Sequence, residues 1–303
     1  MNIAVNKKVF LFLSLVSSLM LLSTVSSCTS QKNNHKSITV SSNSVETPHP
    51  DTDLVEVDLK LVHHYRKNAD GKYPEGKPDG TPRLFNNNLN YQITLNAAYV
   101  NLAEAELLSC HNASLRQPKI ALVSAAFAQS HEHQHNSNQV NLPFVENILR
   151  ADFESVQVAS LQTMVDDYCQ LALTLAPATT ESHNLPEDTD MVGKTLYLEG
   201  EYIPPTGGEA VPFTITSTEE ASSELAFQAA DGNNAPLKIS GQEMNQHIQV
   251  GMAYDSWLDG VNFEQMNPSQ QSKIVMNNIF ESFHHHTGHT HDHPGNDHHN
   301  GSH

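Results

Sequence analysis

Apolar and polar residues alternate with a period of two through several short stretches of this chain. Leu54 to His63, Tyr91 to Leu108, Tyr168 to Leu175, Thr195 to Tyr202, Val211 to Thr216, Glu224 to Gln228 and His247 to Tyr254 all have this alternating or branched-apolar character. A strand sends successive side chains to opposite faces, so these stretches read as half-buried β-strands. Tyr91 to Leu108 is long enough to predict two strands with a kink between them. Asp70-Gly71, Asp79-Gly80, Gly207-Gly208 and Asp231-Gly232 supply turns between many of the stretches. Short strands without long intervening helices predict a mainly β fold, an antiparallel β-sandwich. Two helices are expected to interrupt it. One is a short turn over Phe144 to Arg150 after Pro143; the other is a short C-terminal helix over Ser269 to Phe283. In the latter, Ile274, Met276, Ile279, Phe280 and Phe283 recur at helical spacing behind Pro268.

The chain opens on a different pattern. Lys7 and Lys8 precede a run from Val9 to Leu22 that is almost entirely apolar or small, and small polar residues then lead to Cys28. This is the layout of a secretion signal. The run falls short of the roughly 20 apolar residues that a membrane-spanning helix needs. Its end, Val25-Ser26-Ser27-Cys28, resembles the lipobox of bacterial lipoproteins. That resemblance implies cleavage before Cys28 and lipidation of its thiol; an ordinary signal peptide with an incidental cysteine is the alternative. The expected organisation is a signal peptide over 1–27, a flexible tether over 28–53, a β-rich domain over 54–283 and a disordered His-rich tail over 284–303. The tether is rich in Ser, Asn, Lys and Thr and has too few large apolar side chains to offset its chain entropy. Thr29, where an aspartate would favour inner-membrane retention of a Gram-negative lipoprotein, implies the outer membrane. The expected membrane partner is thus reached through a lipid anchor in the cell envelope.

A formal net charge of -18 argues against nucleic acid, whose phosphates need a basic surface, and suits the capture of cations. With Cys28 lipidated, Cys110 and Cys169 remain, and an oxidising compartment makes a disulfide between them the default. Closing so long a loop stabilises a fold by roughly 4 kcal/mol in the chain-entropy model. Two thiolate ligands on a metal are the alternative, although no CxxC spacing supports them. Nor does the chain contain GxSxG, HExxH or a Gly-rich phosphate loop. With no nucleophile or general base at motif spacing, an enzyme is not expected.

Histidines carry the candidate chemistry. Nine fall in the tail, at His284, His285, His286, His289, His291, His293, His298, His299 and His303, interrupted by Thr, Gly, Asp, Pro and Asn, unlike an unbroken purification tag. Neutral imidazole is a good ligand for zinc, copper and nickel. A second cluster, His131-Glu132-His133-Gln134-His135, is an H-x-H-x-H that an extended strand would present on one face. A full site needs ligands from elsewhere, and His63, His64, His111, His183 and His247 are the candidates. Zn2+ is the first expected ion, because mixed His and acidic ligands suit it. Cu2+ is the alternative on affinity grounds, and Ni(II) stays open.

The segment Tyr254-Asp255-Ser256-Trp257-Leu258-Asp259-Gly260-Val261-Asn262-Phe263, followed by Ile274 to Phe283 with Asn277-Asn278-Ile279, resembles the C-terminal part of the methanobactin-partner-like copper-binding proteins. Leu258 stands where that family has Phe, and the family's metal ligands do not align onto this chain, so none are carried over. The resemblance implies a β-rich, exported metal-binding lipoprotein. In the leading reading, the chain captures zinc or copper for storage or delivery to a transporter or receptor. Capture then weakens as protonation removes ligands below about pH 6.5. In the alternative reading it is a surface interaction or adhesin-type lipoprotein whose tail only buffers metal or senses acid.

Overall fold

The computed structural model describes residues 54–113, 121–123, 138–229, 233–241 and 246–287, all within one compact unit. Among these residues the strands are β1 (Leu54–His64), β2 (Arg83–Asn86), β3 (Gln92–Ser109), β4 (Ala121–Val123), β5 (Gln139–Asn147), β6 (Val156–Met164), β7 (Asp167–Leu175), β8 (Leu196–Ile203), β9 (Val211–Ser217), β10 (Glu220–Ala226), β11 (Leu237–Lys238), β12 (Gln246–Ala253) and β13 (Phe283–Thr287). Helix α1 (Cys110–Ala113) follows β3, and α2 (Pro268–Ser282) precedes β13. The mainly β fold with a short C-terminal helix is therefore the one the chain adopts.

One sheet runs β13-β12-β1-β6; the other runs β4-β10-β7-β3-β8-β9, with β11 added to β7 and both β2 and β5 added to β3. The second sheet is built on β3. Its residues Gln92 to Val100 pair with β8 and Leu102 to Ser109 with β7, while its other edge takes β2 and then β5. The stretch expected as two strands is thus a single strand, and the expected kink takes the form of register shifts at Leu95/Ala97 and Leu102/Glu104. A bulge bends a strand without ending it.

One expectation is corrected. Phe144 to Arg150 is not helical: β5 runs through Phe144 to Asn147, and the chain then turns. Pro143 is tolerated there because the register shift between Leu102 and Glu104 lies opposite it, where no ladder N–H is required. The sheets are antiparallel, as expected, with one parallel pairing between the named strands. β1 pairs in parallel with β12, from Val57 opposite Gln246 to His64 opposite Ala253. A parallel partner needs a long crossover, and here nearly the whole domain intervenes.

The inward residues of both sheets, among them Leu59, Leu61, Ile93, Leu95, Leu102 and Val250, form one fully buried core. Helix α2 starts on a capping box: Asn267 accepts from the Gln270 backbone, and the Gln270 side chain accepts from the Asn267 N–H. Its Val275, Met276, Ile279 and Phe280 are buried. Buried Trp257 donates to Ser282 Oγ at 2.9 Å, and Asn278 donates to the Trp257 and Asp259 carbonyls. These bonds fasten the 254–263 segment to α2, and α2 delivers the chain into β13. Cys110 and Cys169 form a disulfide, with Cα atoms 4.8 Å apart, which excludes the thiolate-ligand alternative and marks an oxidising compartment.

Candidate metal centre

Strand β1 ends in His63-His64, and the pleat sends the two rings to opposite sides. His64 donates from Nδ1 to the Tyr65 carbonyl at 2.7 Å. His284 stands near the start of β13, directly opposite Gly251 of β12. A Cβ on Gly251 would overlap the His284 imidazole, so only glycine lets that ring lie across β12. It crosses toward the neighbouring β1, donating from Nδ1 to the Ser282 carbonyl at 3.0 Å. There the two Nε2 atoms of His64 and His284 come within 3.0 Å of each other.

The tautomers follow from the partners. A carbonyl oxygen can only accept, so Nδ1 carries the hydrogen in both rings, and when both rings are neutral each Nε2 turns a lone pair toward the other. Aromatic rings pack around His64: Tyr73 meets it edge-on at 4.5 Å, and Phe153 stacks on it at 5.5 Å with an interplanar angle of 8°. The Lys67 ammonium lies 5.0 Å from the Tyr73 ring centroid. Burial pushes the His284 imidazole below its ordinary value; the Ser282 bond opposes this, and the Lys67 charge adds to the lowering.

His63 faces a different environment. Its Nδ1 donates to Glu146 Oε1 at 2.8 Å and its Nε2 to the Arg150 carbonyl at 2.8 Å. Glu146 also accepts from Arg150 at 2.7 Å. Close by, Arg83 pairs with Asp152 at 3.4 Å and donates to the Ile148, Thr81 and Arg150 carbonyls. Tyr254 donates to Asp152 Oδ2 at 3.0 Å. Its phenol is held protonated far above the usual range, by burial first and then by the Asp152 carboxylate. With both ring nitrogens of His63 on acceptors, this cluster offers no imidazole lone pair.

The remaining histidines named from the sequence are scattered or undescribed. His285, buried, meets Phe227 edge-on at 4.5 Å. His111 is exposed beside Cys110, His183 is exposed, and His247 is half-buried on β12 opposite Asp58 of β1. His286 belongs to β13 by its backbone. Cys28, His131, His133, His135, His289, His291, His293, His298, His299 and His303 lie outside the described residues. Among the described residues no group of three or more His, Cys, Asp or Glu is assembled as a metal cage. Tyr73, Phe153 and Gly251 were not anticipated; of these only Gly251 left a signal, as a lone glycine inside the apolar strand pattern of His247 to Tyr254.

No protein-family model matches the chain, and no curated protein matches it. Among solved structures, MbnP from Methylosinus trichosporium is similar to it over 72% of this chain and 79% of that one, at 13% identity and a TM-score of 0.29, a distant structural resemblance.

Proposed function

We propose that this chain is an exported, lipid-anchored protein of the cell envelope that binds a transition metal, and that His64 and His284 are ligands to the ion. The observation that carries this reading is the pair of opposed Nε2 atoms 3.0 Å apart, each ring having its hydrogen on Nδ1. Two imidazole lone pairs at that distance repel unless a proton or a cation lies between them. Burial works against the proton. Nitrogens bonded to one tetrahedral ion at ordinary lengths sit about 3.3 Å apart, so the rings need to part only slightly. The Nδ1–H bonds to the Tyr65 and Ser282 carbonyls are the outer contacts that fix tautomer and ring orientation in histidine metal sites.

A bound ion would supply the positive charge that the two lone pairs face. Copper ranks ahead of zinc for this donor set, reversing the order expected from the sequence. Structural zinc asks for four protein ligands, whereas the described residues bring two imidazoles together, and copper has the highest affinity for nitrogen donors. The run from Val9 to Leu22, the cysteine at 28 and the Cys110–Cys169 disulfide support export to an oxidising envelope. The role we assign is capture, storage or delivery to a transporter, with the histidines beyond Thr287, which follow His284 in the sequence, as capture ligands.

The test is a chelator-competition titration of the full chain and of its His64→Ala and His284→Ala variants with copper and with zinc. Each substitution should abolish the tightest equivalent and leave weaker binding by other histidines in place. Unchanged tight binding in both variants would overturn the assignment.

A further inference from the structure

Phe153 has φ of 64°, in the left-handed region that a bulky aromatic residue rarely occupies. Such a conformation is strained and persists only where the surroundings over-determine it. Here they do. The Phe153 N–H donates to the His63 carbonyl at 3.1 Å, and the Asp152 N–H to the Lys77 carbonyl at 2.9 Å. The Asp152 carboxylate accepts from the Lys77 N–H at 2.8 Å and from Tyr254, and it faces Arg83. Gly76 leaves room on the far side: a Cβ there would come 2.9 Å from the Phe153 ring and 3.1 Å from Asp152 Cβ. The buried ionic cluster around His63 thus holds the backbone in the one conformation that lays the Phe153 ring flat against His64. Tyr73 closes on both rings, edge-on to His64 at 4.5 Å and to Phe153 at 5.4 Å.

We propose that Phe153 is a positioning residue for the histidine pair: its ring fixes the plane of the His64 imidazole so that Nε2 is aimed at His284 before any ion arrives. This rests on the reading of His64 and His284 as ligands. The Nδ1 bond to Tyr65 sets the tautomer, and the stack sets the ring's tilt; together they remove the rotational freedom that a ligand otherwise loses on binding. The backbone strain at 153 is what places the ring there.

Three substitutions separate this from a merely structural role. Phe153→Gly removes the ring and accepts the left-handed backbone without strain. Phe153→Leu keeps apolar volume and loses the stack; Phe153→Tyr keeps the stack. The tightest copper equivalent should weaken about 10- to 100-fold in the Gly and Leu variants and stay near wild type in the Tyr variant. In the metal-free full chain, nuclear Overhauser contacts between the His64 and His284 rings should report a single His64 ring orientation in wild type and Phe153→Tyr, and an averaged one in the other two. Wild-type affinity together with a single ring orientation in both Phe153→Gly and Phe153→Leu overturns the proposal. Should Phe153→Gly fail to fold, Phe153→Leu and Gly76→Ala, whose methyl meets the Phe153 ring and Asp152 Cβ and leaves both histidines unsubstituted, decide by the same readouts. If instead His64→Ala binds copper like wild type, the ligand assignment fails, and the metal-free ring-orientation measurement still decides whether Phe153 orients His64.

Discussion

His63 and His64 are neighbours at the end of β1, yet the pleat gives them opposite chemistry. On one side, His63 is enclosed with Glu146, Arg150, Asp152 and Arg83, and both of its nitrogens face acceptors. On the other, His64 has one nitrogen on a carbonyl and the second on another imidazole, with aromatic rings around it. Whether a histidine can serve as a ligand is thus decided by what its two nitrogens already bind, more than by its place in the sequence. The two regions are also joined in series. Asp152 belongs to the ionic side and Phe153 to the aromatic side, so one dipeptide mirrors the other across the bond from Phe153 N–H to the His63 carbonyl.

The largest effect should come from the ionic side and be felt in stability. Glu146→Ala leaves the His63 and Arg150 charges without the carboxylate they share, and breaking a buried pair in this way costs about 3–5 kcal/mol. The denaturant midpoint should fall accordingly. A variant that stays as stable as wild type would break the contrast between the two sides.

Next in size is a change on the aromatic side that should alter binding and spare the fold. Gly251→Ala puts a methyl group where the His284 ring lies. The ring must swing away, and the tightest copper equivalent should weaken at least 10-fold, the order seen when ligand orientation is lost. β12 keeps its backbone pairing with β1 and β13, so the unfolding midpoint should stay close to wild type. Equal copper affinity in Gly251→Ala and wild type would show that the crossing of β12 is irrelevant to binding.

The sequence exposed the strands and the last helix better than the site. Period-two alternation found β1, β7, β8, β9 and β12 to within a residue or so, because one face of each meets the core. It passed over β6, in which only Leu161 and Thr163 are fully buried, leaving a faint pattern. It misread β5, since Pro143 signals a break unless the bulge opposite it is known. The parallel pairing of β1 with β12 has no local signature at all. At the site, both His64 and His284 were named from composition, but 220 residues separate them, and only the register of β1, β12 and β13 makes them meet. Phe153 was invisible because an aromatic residue stands where a left-handed backbone would suggest Gly or Asn.

The smallest expected effect tests whether the aromatic side keeps its imidazoles neutral. His284 in the folded chain titrates below its ordinary value of 6.5, chiefly through burial, with Lys67 acting in the same direction. Below that value the unfolded chain takes up a proton that the folded chain resists, so stability rises with pH through this window. The contribution is complete above about pH 6.5 and is lost as pH falls through the lowered folded value. It is read as the difference in denaturant midpoint between the metal-free wild type and His284→Asn, measured from pH 7.5 down to 5. Subtracting the variant removes the other titrating groups that the two chains share. Wild type should lose ground to the variant as pH drops below 6.5. A flat difference across that range would mean that His284 is solvated, and with it the opposed lone pairs of the aromatic side would lose their reason to attract a metal rather than a proton.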